Sequence, residues 1–140
     1  MAARLLLVDD YRDAVEMWAV YLRARGFEIQ TAADGASAIR IATETLPDLI
    51  VMDLVLPGIN GCEAARQLRA QPTTSHIPII ATTGSTQPAE IDQARHAGFA
   101  SIMIKPCDPP GLVREIERVL APLPISGAAD GSSEHHPWRF

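Results

Sequence analysis

At 140 residues the chain fits one domain with a sizeable core, and 47% hydrophobic with 21% charged residues is ordinary for a globular protein. A formal net charge of -5 and the lack of any Lys/Arg-rich block speak against a nucleic-acid surface. No apolar run has the length to cross a bilayer or the pattern of a signal peptide, and two cysteines make no disulfide framework, so a cytoplasmic location is expected.

In chain order, "RLLLV" (4–8) predicts a short apolar strand. A helix follows from about Tyr11 to Arg25, with Val15, Trp18, Ala19 and Leu22 on one face and Gly26 as its stop. "FEIQTA" reads as a strand nearer an edge, because Glu28 and Gln30 alternate with apolar neighbours. Asp34 can cap a second helix through about Glu44, with Ile39 and Ala42 inward, ended by "LPD". "LIVM" (49–52) is the third strand. Asn60 and Glu63 stand at capping-box spacing before a third helix that runs to about Gln71.

"IPIIAT" is the fourth strand, and Pro88 opens a fourth helix reaching His96. "ASIMI" is the fifth strand. Asp108 and Pro109 cap and start the last helix, with Leu112, Ile116, Val119 and Leu120 inward. Five strands alternating with five helices predict an α/β fold with right-handed crossovers and a parallel sheet covered on both faces. Beyond Pro122 the sequence turns rich in Gly, Ser and Pro, so 1–121 is expected to be the folded domain and 122–140 a flexible C-terminal tail.

Polar residues stand at the ends of these apolar runs. Asp9 and Asp10 follow the first strand, Asp53 the third, Thr82 and Thr83 the fourth, and Lys105 the fifth. In an open parallel sheet, sites form outside the carboxyl ends of the strands, where strand order reverses. Neighbouring strands lie about 4.8 Å apart, so Asp53 could share a cation with Asp9 or Asp10. Oxygen donors without His or Cys point to a hard ion, Mg²⁺ before Ca²⁺ or Zn²⁺. A cation, a hydroxyl and a carboxylate nucleophile together suit phosphoryl transfer. An Asp pair after a strand can also simply cap a helix. Cys62 and Cys107 read as small buried residues, Trp18 as core, and His76, His96, His135 and His136 as solvated.

"LLLVDD", "LIVMDLVLPGING", "PIIATTG" and "IMIKP" together resemble the bacterial response-regulator receiver domain, the family that includes the chemotaxis regulator; the resemblance covers residues 4–121. It implies a flavodoxin-like five-stranded sheet of order 2-1-3-4-5. It further implies that Asp53 takes a phosphoryl group from a histidine kinase or phosphotransfer protein. Asp9, Asp10, Asp53 and the Val55 backbone carbonyl would hold Mg²⁺, while Thr83 and Lys105 would contact the phosphoryl oxygens. The Lys105–Pro106 bond resembles the family's cis peptide. Two positions depart from the pattern: Gly84 stands where Ala is usual, and Ile102 where Tyr or Phe is usual.

With no output domain in the sequence, the expectation is a single-domain regulator, monomer or weak dimer, signalling to a downstream effector by protein–protein contact. One alternative is a Mg²⁺-dependent phosphohydrolase of haloacid-dehalogenase type, but that class needs a second Asp where this chain has Val55. The other is a receiver scaffold that works without phosphorylation, prompted by Ile102.

Overall fold

The computed structural model describes residues 2–121. Five parallel strands form one sheet in the order β2-β1-β3-β4-β5. They are β1 (Arg4–Val8), β2 (Glu28–Ala32), β3 (Leu49–Asp53), β4 (Ile79–Thr83) and β5 (Ser101–Ile104). Between and after them run α1 (Arg12–Ala24), α2 (Gly35–Thr45), α3 (Gly61–Ala70), α4 (Pro88–His96) and α5 (Pro109–Leu120).

Alternation along the strands divides the core in two. Leu5, Leu7, Leu49, Val51 and Ile80 face Ala19 and Leu22 of α1 and Leu112, Val113 and Ile116 of α5. Leu6, Val8, Ile50, Met52, Ile79, Ala81 and Ile102 face α2, α3 and α4, which present mostly alanine. Those small side chains let the three helices lie close on the sheet. β3 and β4 are buried along their whole length, whereas β2 exposes Glu28 and Thr31, as an edge strand does. The expectation that β2 lies nearer an edge is met, and β5 forms the other edge with Met103 and Ile104 half-buried.

The helix starts follow local chemistry. Asp34, Asn60 and Asp108 each accept a hydrogen bond from a backbone N–H three residues on, at 2.7, 2.9 and 2.9 Å. At Asn60 only this half of the expected box forms, since Glu63 turns instead to Gln67 and Arg66. α1 differs: Tyr11 occupies the cap position without a side-chain bond. Asp9 Oδ1 accepts from Tyr11 N at 3.0 Å, so Asp9 shapes the turn after β1 rather than capping the helix. β4 begins two residues later than the apolar run suggests, because the Ile77 N–H closes a turn onto the Thr74 carbonyl.

Candidate functional site at the carboxyl edge of the sheet

The strand order places β1 and β3 side by side, with Val8 opposite Met52, so the residues that follow each strand emerge together. Asp9, Asp10 and Asp53 each offer a carboxylate oxygen within 4.8 Å of the others. Asp53 is buried at 7% exposure, Asp9 is half-buried and Asp10 is open to solvent. Asp53 Oδ1 accepts from Val55 N at 3.1 Å. Three acids this close repel one another and require a cation.

Lys105 supplies one. It leaves the end of β5, two strands from β3, and its Nζ lies 2.7 Å from Asp53 Oδ2 and 3.3 Å from Asp9 Oδ2. Burial pulls the Lys105 ammonium down, but hydrogen bonds and charge attraction from Asp53 and Asp9 together outweigh it, so the group is held above its ordinary range. Its backbone is fixed too: Lys105 N donates to the Thr83 carbonyl at 2.7 Å, and the Lys105–Pro106 bond is cis.

Thr83 ends β4 almost wholly buried, at 1% exposure. Its Oγ1 accepts from Ser85 N at 3.0 Å, which leaves the hydroxyl proton available to a new acceptor. Gly84, next to it, has open space where a Cβ would stand. Val55 lies in the β3–α3 loop with its side chain 70% exposed. Asp9, Asp10, Asp53, Val55, Thr82, Thr83 and Lys105 therefore all lie along one edge of the sheet.

One contributor, Gly61, stands in the sequence only as the last residue of "LIVMDLVLPGING", where nothing assigns it a role. A Cβ on Gly61 would come within 2.5 Å of the Asp53 carbonyl oxygen and 2.8 Å of Leu54 Cα. Gly61 N also donates to the Leu54 carbonyl at 2.9 Å. The start of α3 is thus pressed against the backbone that carries Asp53, which only glycine allows. Gly35 makes a similar close approach to Ile59 at the far end of the same loop.

Outside this cluster, Cys62 is buried and Cys107 half-buried; burial pushes both thiols up, away from reactivity. His76 and His96 are exposed, and Trp18 is half-buried. His135, His136, Trp138 and Phe140 lie outside the described residues. No helix among the described residues is long and apolar enough to cross a membrane.

Known proteins share this architecture. The chemotaxis response regulator CheY4 of Vibrio cholerae superposes with a TM-score of 0.81 at 31% identity, covering 86% of this chain and all of that one. The receiver domain of the sensor histidine kinase PA1611 from Pseudomonas aeruginosa, solved with a magnesium ion coordinated in its active-site cleft, gives 0.80 at 31% identity over 86% and 98% of the two chains. Among curated proteins, the response regulator PleD of Caulobacter vibrioides is 36% identical over 108 residues, 77% of this chain and 24% of its own length. The DNA-binding response regulator MtrA of Mycobacterium tuberculosis is 35% identical over 116 residues, 83% of this chain and 50% of its own. The chain thus spans a quarter to a half of those curated relatives. The family description "Response regulator receiver domain" matches residues 5–117, and with the sheet order and site geometry in agreement, this chain belongs to the response regulator receiver-domain family.

Proposed function

We propose that this receiver domain accepts a phosphoryl group on Asp53 from a phosphohistidine of a histidine kinase or phosphotransfer protein. The observation that carries the reading is the Asp53 carboxylate, buried at a strand end with one oxygen 2.7 Å from Lys105 Nζ and two further acids beside it. An Asp53 oxygen attacks phosphorus, the P–N bond to the donor imidazole, protonated on its other ring nitrogen, breaks, and its electron pair stays on the nitrogen that held phosphorus. The product is an acyl phosphate on Asp53 and a neutral histidine on the donor. Lys105 then pairs with a phosphoryl oxygen, and the Thr83 hydroxyl donates to another.

Asp9, Asp10 and Asp53 converge with oxygen donors alone, which suits a hard divalent cation, and the exposure of Asp10 leaves room for water ligands. Those residues with the Val55 carbonyl would hold Mg²⁺. Bound there, the ion would offset negative charge on the phosphoryl oxygens.

The acyl phosphate carries nearly two negative charges where the carboxylate carried one, and this change biases the neighbouring loops between two arrangements, one of which a downstream protein prefers and so reads the signal. This is a signalling module rather than a turnover enzyme: where an Asp-nucleophile phosphohydrolase needs a proton donor, Val55 presents an exposed apolar side chain. Acetyl phosphate with Mg²⁺ is expected to label the wild type once per chain, read by intact mass, and Asp53→Ala to take no label. Equal labelling of both proteins overturns the assignment, and multiple turnover of a small phosphate ester would restore the hydrolase.

A further inference from the structure

Between α1 and the start of α5 lies a groove of about 480 Å³. Val15 and Trp18 wall it on one side and Cys107 and Leu112 on the other, with Leu7 and Val51 on the sheet beneath. An apolar cavity of about 150 Å³ already takes a benzene-sized guest, so this groove has room for two fused rings.

One polar group breaks the apolar floor. Thr82 is 8% exposed and follows Ile80 on the face of β4 turned toward α1 and α5, where it lines the groove. Its hydroxyl bonds no other described residue, unlike that of Thr83 beside it, whose Oγ1 accepts from Ser85 N. Among the described residues, the one side-chain oxygen both sealed from solvent and without a partner belongs to Ser101. The Thr82 hydroxyl is therefore not sealed but opens onto the groove. A hydroxyl gives one hydrogen bond and accepts two, so a guest that pairs with it restores what burial withholds.

Charge decides the kind of guest. Asp9 and Lys105 also line the groove, but each is engaged already. Asp9 Oδ1 accepts from Tyr11 N and Oδ2 from Lys105 Nζ, which also bonds Asp53. Two carboxylates against one ammonium repel an anion. A cation is drawn instead to the point where Asp9, Asp10 and Asp53 converge. What remains is a neutral molecule. Tyr11 at the rim, 63% exposed, and half-buried Trp18 offer ring faces, while Met17 and Cys107 offer polarisable sulfur, and both favour an aromatic guest over an aliphatic one.

We infer that this groove is a binding site for a small neutral aromatic molecule of one or two rings, whose single hydroxyl or N–H pairs with Thr82 Oγ1. Such a guest lies against α1 and the Lys105–Cys107 turn, beside the acidic pocket. Its effect on the approach of a phosphodonor rests on the function proposed above; its binding does not.

The test titrates the full chain with indole and follows amide resonances. Those of Val15, Trp18, Cys107 and Leu112 are expected to move and saturate, with a dissociation constant on the order of 1 mM or tighter. Indole bearing a ring carboxylate should bind about tenfold more weakly. Indene has the same two rings without the N–H, and Thr82→Val keeps the side-chain shape without the hydroxyl. The preference for indole over indene should fall roughly two- to tenfold in that variant, as for the loss of one hydrogen bond. Ala14→Leu, on the α1 wall, fills part of the groove and should abolish saturable binding. Shifts that never saturate, or that scatter away from the groove, overturn the site. Equal affinity for the carboxylate, or an unchanged indole preference in Thr82→Val, overturns the neutral, hydroxyl-paired guest. Groove amides that move with protein concentration alone give the groove to a second copy and overturn the proposal as well. None of these readouts involves phosphoryl chemistry, so a failure to label Asp53 counts against the phospho-acceptor reading alone.

Discussion

Lys105 Nζ bridges Asp53 Oδ2 at 2.7 Å and Asp9 Oδ2 at 3.3 Å, so one cation from β5 ties together acids that follow β3 and β1. It is the only lysine in the sequence. The ammonium is held above its ordinary value of 10.5 because the two carboxylates outweigh the burial that opposes charge.

The pH dependence follows from that direction. A lysine whose pKa is raised by folding stabilises fully below its unfolded value, and the contribution fades as pH climbs through the folded value. Wild-type stability should therefore fall in a window opening near pH 10.5 and extending above it, and Lys105→Met should lack that step. With lysine labelled at ¹³Cε, a single resonance reports the titration, and a midpoint at or below 10.5 would refute the coupling. At neutral pH, Lys105→Met leaves Asp53 buried beside two acids without its partner. Discounted for the partial exposure of the lysine, the loss is about 1–3 kcal/mol by chemical denaturation.

Gly61 separates a steric requirement from a merely permissive site. In Gly61→Ala the new methyl meets the Asp53 and Leu54 backbone, neither of which can swing aside as a side-chain tip would. Urea denaturation should show a loss of about 1–3 kcal/mol, with amide shifts spreading from the first turn of α3 to Val55. Gly84→Ala meets open space and should stay within about 0.5 kcal/mol of wild type. Similar losses in both variants would show that the contact at Gly61 does not matter.

That contrast marks how much the sequence discloses. Continuous apolar runs that stop at Asp9, Asp53, Thr83 and Lys105 reveal strands, edge and site at once, because each signal is local and the parallel topology aligns the strand ends. Caps at Asp34, Asn60 and Asp108 are legible for the same reason. The contact that Gly61 makes is not, since it depends on how α3 returns toward β3. Nor is Arg69, whose guanidinium is half-buried and donates to the Ser75, Ile77 and Gly98 carbonyls, clamping two turns that no periodicity links. Ile102 stands where the family pattern has an aromatic, and it is 1% exposed within the α4-side core, so it has no outward position from which to turn inward.

Asp10 is the open member of the acidic trio and should contribute to metal affinity more than to folding. In Asp10→Asn, removing one of three like charges leaves metal-free stability equal to or slightly above wild type. Mg²⁺ affinity by calorimetry should fall roughly tenfold, about 1.4 kcal/mol. Because a ligand that binds only the folded state raises its melting temperature, millimolar Mg²⁺ should lift Tm less in the variant. Identical Mg²⁺ response in the two proteins would remove Asp10 from the metal site.

Thr83 links the pocket to the loop that leads into α4. Its Oγ1 holds the Ser85 N–H at 3.0 Å while its own proton is free for a phosphoryl oxygen, so capture of that proton can pull on the backbone at Ser85. Thr83→Ser keeps the hydroxyl and should preserve both roles. Thr83→Val keeps the shape but leaves the Ser85 N–H without its acceptor, at about 0.5–1.5 kcal/mol. All three proteins should still take label on Asp53 from acetyl phosphate, since the nucleophile and Lys105 are untouched. They should differ in how the domain responds once labelled: wild type and Thr83→Ser should show amide shifts from Gly84 into α4 on phosphorylation, and Thr83→Val should show them only next to Asp53. A full set of α4 shifts in Thr83→Val would mean that the signal leaves the pocket by another route, with the β3–α3 loop, which bonds Asp53 directly through Val55, as the remaining connection.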